Sequence, residues 1–386
     1  MDAAPDLLIA GSSPLAAALF RRAGELGLKA LWLDEDPESD DSPLELLLSG
    51  GPESLRRDPA LCALRAKALD GLIRRHPVLL RRRGLLLPLG RIGAERAWRA
   101  YDLLAPLRRS APGRVLSADE ARARLPSRSE SAGGGLLRWE EWGLAPGTLA
   151  RTWAEEGTAL GGLRLPGARA REFERARGRI AEVRWSSPDG RGGAARPSVV
   201  VNAAGARALS LAERARCRLF GLEVRAEHGL LLRASPGEDA VLLDEREPRL
   251  VLVPCEGGSL LGPIAGPPRS READEAALWT LNRTLPGLGE PGPGAPVELG
   301  RARVRGTFLR GHEDDGAANL LTALADDPLL EWAAAERAAA AALRLLGRRP
   351  PAATPGAPLW VRALGALPPF PSRVAGRLLD LAARKR

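Results

Sequence analysis

The sequence is poor in the residues that most often announce chemistry. Among 386 residues there are three cysteines, three histidines, one methionine and one tyrosine, and aromatic residues make up 4%. Cys62, Cys217 and Cys255 are scattered and lack CxxC spacing, which argues against a disulfide framework and a zinc site and fits a reducing cytosol. His76, His228 and His312 are equally dispersed, so no metal-ligand spacing is present. Lysine is almost missing: of 57 basic residues only Lys29, Lys67 and Lys385 are lysines, the rest arginine. The net charge of +9 invites a nucleic-acid reading, yet the arginines are interleaved with 48 acidic residues. A nucleic-acid footprint is a basic stripe, with stacking rings for single strands, so no nucleic-acid partner is expected. The arginine excess reads as the bias of a GC-rich source. No run approaches the ~20 apolar residues of a spanning helix. The start, Met1-Asp2-Ala3-Ala4-Pro5-Asp6, has no basic region before its apolar run. A cytoplasmic protein is expected.

What is present is the balance of a soluble globular chain, 45% hydrophobic and 27% charged. At ~150 residues per domain the length suggests two domains or one bilobed body. Asp6 to Ala10 is a short apolar run suited to a buried parallel strand, Gly11-Ser12-Ser13-Pro14 a turn, and Leu15 to Leu26 a helix stopped by Gly27. Lys29 to Leu33 is a second strand, ending at Asp34-Glu35-Asp36. Together they make a βαβ unit of about 30 residues, the opening of a dinucleotide-binding fold. Residues 58–110 read as helical with breaks at Pro77 and from Gly84 to Gly93, and Ser117 to Glu120 as a capping box. Ala145 to Leu160 reads as a helix, Ser198 to Asn202 as a β-branched strand, residues 221–262 as antiparallel strands, and 328–346 as an Ala-rich helix. A Pro-rich linker (348–358) leads to a basic amphipathic tail.

Two stretches point to chemistry. Gly11-x-Ser13-x-x-Ala16 approximates the dinucleotide fingerprint GxGxxA. Gly11 permits the tight turn, Ala16 allows close helix–strand packing, and the helix start is available to an anion. Ser13 puts a hydroxyl where the second glycine normally leaves room. Asp34, 23 positions after Gly11, is placed to bind ribose hydroxyls, with Glu35 next to it. In the second stretch, Val199-Val200-Val201-Asn202 runs into Ala203-Ala204-Gly205-Ala206, backbone with almost no side-chain cover.

This strand-to-turn stretch resembles that of the FAD-dependent oxidoreductase superfamily that includes D-amino-acid oxidase and the FAD-dependent glycerol-3-phosphate dehydrogenases. Further segments, in order, resemble the glycerol-3-phosphate dehydrogenase branch: Leu48-Ser49-Gly50-Gly51, Arg75-His76-Pro77, Leu85 to Pro88, Tyr101-Asp102, Leu136 to Leu149, Glu227-His228-Gly229, Glu247-Pro248-Arg249, Ser259 to Gly262 and Leu281-Asn282-Arg283. The resemblance implies an α/β fold with a Rossmann-type FAD-binding domain (1–80, 145–215, 300–347). It also implies a discontinuous substrate domain on an antiparallel sheet (81–144, 216–299), followed by a C-terminal segment (348–386) shorter than the family's usual helical domain. The implied cofactor is FAD, held by Gly11, Ser12, Ser13, Ala16, Asp34, Glu35, Ser49, Gly50, Ala203, Ala204 and Gly205. The implied reaction moves a hydride from a small anionic alcohol or amine to flavin N5 and passes electrons on to a quinone or oxygen. Arg249 and Arg310 are its anion-holding candidates, His228 its proton acceptor, and the basic tail a peripheral contact with an anionic membrane face. Three departures accompany the resemblance: Ser13 for glycine, Ser49 for the family's histidine, and no Gly-Gly-Lys motif near residues 320–329. They leave open a homologue that keeps the fold but has lost tight FAD binding.

Overall fold

The computed structural model describes residues 2–37, 46–47, 59–88, 98, 101–102, 109–125, 135–220, 222–225, 227–244, 250–255, 257–266, 270–286, 288, 296–298, 301–303, 307–325 and 327–351. Ser49, Gly50, Arg249 and the basic tail lie outside them. Two compact units form from interleaved segments. The first draws on Met1–Pro43, Ala145–Arg225 and Arg301–Pro355; the second includes Leu44–Leu144 and Ala226–Gly300.

The first unit is built on a six-stranded sheet ordered Thr307–His312, Ala317–Ala325, Val199–Asn202, Leu7–Ala10, Ala30–Asp34 and Leu163–Pro166. All neighbours are parallel except the first pair. The central strands are buried at every position, as the short apolar runs require of a sheet covered on both faces. The helix Pro14–Glu25 begins at an extended Ser13 cap with proline in its first turn. It closes at Gly27, whose φ of 66° is the left-handed stop expected of that glycine. This helix packs against Pro146–Ala159 and Pro328–Leu345, and a side chain at Gly157 or Gly162 would collide with the Phe20 ring. On the opposite face lies a meander of Arg169–Ala176, Arg179–Ser186 and Gly192–Ala195. Its Ile180 and Val183 pack with Leu8, Leu31, Val200 and Leu320 of the sheet. Asn319 ties the two layers, accepting from Ile180 N at 2.8 Å and donating to the carbonyls of Ile180 and Ser198.

The second unit carries a sheet running Pro296–Glu298, Glu227–Leu232, Gly258–Ala265, Leu250–Cys255, Ala240–Asp244, Leu80–Pro88, Leu136–Leu144 and Leu46–Leu47, with Arg114–Leu116 also on the Leu136–Leu144 strand. Its pairs are antiparallel apart from Ala240–Asp244 with Leu80–Pro88. The helix Arg271–Thr284 packs on it through Ala277 and Leu281, and the capping box at Ser117 and Glu120 is formed in both directions. One expectation is corrected here. The helical reading of 58–110 holds for Pro59–Arg75, but Leu80–Pro88 is a nine-residue strand. Leucine and arginine favour helix only weakly, and pairing along the whole of Leu136–Leu144 overrides that preference. Gly84 is a requirement of the strand, since a Cβ there would fall on the Asp239 carboxylate, which Arg124 and Arg138 hold in place. Among the described residues no helix is long and apolar enough to cross a membrane.

The tightest contact in the first unit yields a test. Gly11 has φ 121°, and a Cβ on it would lie 2.3 Å from the Ala204 Cα. Gly11→Ala is expected to cost at least about 2 kcal/mol through strain and backbone displacement, read as a lowered urea midpoint. A variant as stable as the parent would show that the two turns are not locked together.

Candidate functional site

Three strands of the first unit, Leu7–Ala10, Ala30–Asp34 and Val199–Asn202, end at one edge of the sheet, and ligands of open parallel sheets bind at such carboxyl ends. The turn after the first strand is pressed against the turn after the third by the Gly11–Ala204 approach. The Trp32 indole donates to the Gly11 carbonyl at 2.7 Å, fixing the first turn from below. The Ser13 hydroxyl donates to the Ala203 carbonyl at 2.8 Å and accepts from Ala16 N at 3.1 Å, so it stitches the two turns and caps the helix at once. Pro14 brings no N–H to this helix start.

The acids after the second strand divide their work. Asp34 is fully buried and accepts from the Ser12 hydroxyl (2.5 Å) and from Arg164 Nε (2.8 Å) and Nη2 (2.5 Å). Arg164 in turn lies over the Trp32 ring, and Ser12 Oγ accepts from Asp36 N at 2.7 Å. Glu35 is 4% exposed, yet its Oε1 has no hydrogen-bond partner. Its Oε2 faces the Arg207 guanidinium at 3.6 Å, and Arg207 also stands 3.9 Å from the Asp36 carboxylate. A buried carboxylate oxygen left unpaired is costly, and hydroxyl donors of a bound ligand would relieve it.

Behind the third strand runs a buried polar chain. Ala204 N donates to Asn202 Oδ1 at 3.2 Å, and Asn202 Nδ2 donates to the Ala208 carbonyl at 2.8 Å and to Thr322 Oγ1 at 3.4 Å. Thr322 Oγ1 meets His312 Nε2 at 2.9 Å, and His312 Nδ1 meets Asp315 Oδ2 at 2.7 Å. An ionised Asp315 only accepts, so Nδ1 carries the ring proton and Nε2 accepts from Thr322. The electrostatics agree. Burial pushes His312 below its ordinary value against the opposing pull of Asp315. Burial raises Asp315, but the bonds from His312 and Arg218 N outweigh it and leave the carboxyl below its usual range. Cys217 Sγ, His312 and Asp315 offer ligand atoms within 4.8 Å of one another. The Arg175 guanidinium lies 3.2 Å from that sulfur and Arg310 3.7 Å from Asp315, charges that repel a cation. Burial holds the Cys217 thiol above its ordinary value.

The structure therefore gathers Gly11, Ser12, Ser13, Ala16, Asp34, Glu35, Ala203, Ala204 and Gly205 at one sheet edge. His228 belongs to the second unit, where its ring is fully buried. Nδ1 donates to the Gly266 carbonyl at 3.0 Å and Nε2 meets Asp274 Oδ1 at 2.6 Å, so neither nitrogen is free. Arg310, in the first unit, lies over the Phe220 ring beside Asp315. Arg164, Arg207, Thr322, His312 and Asp315 did not emerge from sequence reasoning. Arg164 is 130 positions from Asp34 and carries no local signal, whereas Arg207 directly follows a turn already singled out.

Comparison with known proteins adds a second kind of observation. The family described as FAD dependent oxidoreductase (DAO) matches residues 46–315, well over half of the chain. No curated protein matches it. Among solved structures the chain is similar to the glycerol-3-phosphate dehydrogenase from Bacillus halodurans complexed with FAD, at 17% identity and TM-score 0.70, over 99% of this chain and 72% of that one. It is similar to glycine oxidase from Bacillus cereus at 15% identity and TM-score 0.65, over 88% and 94% of the two chains. It is also similar to L-amino acid deaminase from Proteus vulgaris at 15% identity and TM-score 0.65, over 91% and 95%. At these identities the likeness speaks for the fold.

His312 gives this site a pH signature. Its folded-state value lies below the ordinary 6.5, so protonation favours the unfolded chain. Its contribution is complete above 6.5 and is lost as pH falls through the folded-state value. Urea unfolding at about pH 7.5 and about pH 5 should show the parent losing more stability on acidification than His312→Gln. Equal losses would remove the neutral ring from the account. Asp315 acts in a separate window, at its ordinary 3.8 and below.

Proposed function

The chain belongs to the FAD-dependent oxidoreductase family, and from that premise we propose that it is a flavin-linked dehydrogenase of the glycerol-3-phosphate dehydrogenase type, acting on a small anionic alcohol or amine. The observation that carries the cofactor half of this reading is the buried Glu35 carboxylate with one oxygen unpaired, beside a turn whose Gly11 has no room for a Cβ. The residues present fit a dinucleotide. Gly11, Ser12 and Ser13 frame the first turn, Ala203, Ala204 and Gly205 the facing one, and Ala16 brings the helix onto the sheet. Glu35 rather than Asp34 takes the ribose hydroxyls, because both Asp34 oxygens are already committed to Ser12 and Arg164. Bound FAD supplies the acceptor for a hydride leaving a carbon that bears a hydroxyl or amine.

The protein's own part is orientation and charge. The Asn202–Thr322–His312 chain holds the Ala203–Gly205 turn where a flat ligand can approach its backbone. Arginine suits the anionic end of the substrate, because its planar fork pairs two donors with a phosphate or carboxylate. Arg249, by resemblance, is the residue assigned that role. Glycerol 3-phosphate leads as substrate because the ordered segments from Leu48 to Arg283 follow that branch.

The first experiment is the visible spectrum of the purified protein before and after adding FAD. Oxidised-flavin bands that survive desalting are expected, and sn-glycerol 3-phosphate should bleach them anaerobically faster than glycine or proline. A folded protein that retains no flavin from excess FAD would sink the reading. Bleaching by amino acids alone would move the substrate class. Glu35→Gln is expected to weaken FAD binding about tenfold or more while leaving the flavin-free protein as stable as the parent or more so, since it removes an uncompensated buried charge.

A further inference from the structure

The start of the helix Pro14–Glu25 is a weakened anion site. In the usual arrangement a phosphate sits on free backbone N–H groups at the helix start, reached across a residue without a side chain. Here Pro14 has no N–H, Ala16 N is taken by Ser13 Oγ, and Ser13 itself carries the side chain. Two negative charges of a pyrophosphate would meet fewer donors than the fold normally offers, with Glu35 and Asp36 close by. Some other positive group has to balance them if the dinucleotide is to be held tightly.

Arg207 is placed to do so. It ends the short 3-10 turn Gly205–Arg207 that follows the Ala203-Ala204 stretch. That turn begins beside the first one, since a Cβ on Gly205 would touch Ser13 Cβ at 3.7 Å, and Arg207 reaches from there to the end of the second strand. Its distances to Glu35 and Asp36, 3.6 and 3.9 Å, are those of loose ion pairs and too long for hydrogen bonds. Its side chain is 40% exposed. Arg164, the other guanidinium at this edge among the described residues, is bound to Asp34 and stacked on Trp32. Arg207 thus keeps its five donors largely unspent at the crevice mouth, and both turns that frame the crevice are fixed around it.

We infer that Arg207 is the cation that anchors the diphosphate of FAD in this chain, a side-chain replacement for the backbone donors lost at Ser13 and Pro14. The inference rests on the FAD reading above. Glu35 and Arg207 then act as a matched pair: the carboxylate takes neutral hydroxyl donors, the guanidinium takes the anion, and each leaves the loose contact with the other when the ligand enters. A bidentate guanidinium–phosphate contact also brings a strong dependence on ionic strength, which backbone donors bring to a lesser degree.

The test titrates FAD into flavin-free full-length protein, followed by quenching of flavin fluorescence, for the parent, Arg207→Gln and Arg207→Lys at low and high salt. Arg207→Gln is expected to weaken FAD about tenfold or more and to flatten the salt dependence, with an unchanged unfolding midpoint for the flavin-free protein. Arg207→Lys, which keeps the charge and loses the fork, should recover the salt dependence and only part of the affinity. Parent-like affinity and salt slope in Arg207→Gln would overturn the inference while leaving the FAD reading intact. So would weakened binding with an unaltered salt slope and a lowered midpoint, the mark of a structural ion pair. A parent protein that binds no FAD would overturn both.

Discussion

The closeness of two backbones governs this site. The turn after Leu7–Ala10 and the turn after Val199–Asn202 touch at Gly11 and Ala204, with no space for even a methyl group between them. Everything else at the edge follows from that contact. It brings Ser13 Oγ within reach of the Ala203 carbonyl, it puts Gly205 next to the helix cap, and it carries Arg207 across to the acids of the second strand. The contact is maintained from outside by groups that never reach the crevice: Trp32 holding the Gly11 carbonyl, and Asn202 holding both Ala204 N and the Ala208 carbonyl. Interiors this close-packed transmit small displacements, so residues at the far end of the polar chain, His312 and Asp315, belong to the same mechanical object as the turn.

Asp34 and Glu35 show how burial and pairing, rather than position in a motif, decide what a carboxylate is for. The two are neighbours in sequence and both are inaccessible to solvent. Asp34 is surrounded by an arginine and a hydroxyl and is a structural anion that ties the strand Leu163–Pro166 to the first turn. Glu35 is left with an oxygen facing nothing. Counting from Gly11 finds the first acid, and only the third dimension finds the one with capacity to spare.

How far the fold was legible follows the range of the interactions involved. The opening strand–helix–strand and the helix Pro328–Leu345 were readable because caps, a stop glycine and runs of one period act within a few residues. The strand Val199–Asn202 was readable because β-branched residues flow into a turn without side chains. Leu80–Pro88 was misread as helical because its leucines and arginines have no strand preference of their own and pair only with a segment 50 or more positions away. The meander Arg169–Ser186, rich in charge and low in apolar alternation, did not stand out from the sequence at all. The site divides the same way. The glycine, serine and alanine of the turns were visible locally, whereas Arg164, Thr322 and His312 reach the site from distant strands. The loss of a Gly-Gly-Lys motif near 320–329 has a plain structural counterpart: those residues are the strand Ala317–Ala325, followed within three residues by a helix capped by Asp327.

The interleaving of the two units has a consequence for how the chain comes to exist. The strand Val199–Asn202 lies between Leu7–Ala10 and Ala317–Ala325, so its two neighbours are made at opposite ends of synthesis. Until the last of these strands leaves the ribosome, the first βαβ unit has an unfilled edge and a helix without its Pro328–Leu345 neighbour. Long-range parallel pairing is slow and exposes apolar surface while it waits. The nested second unit can use that interval, since the segments Leu44–Leu144 and Ala226–Gly300 are complete before Ala317 emerges. Nascent chains should therefore acquire protease resistance in the inner unit first, with the outer unit following in one late step.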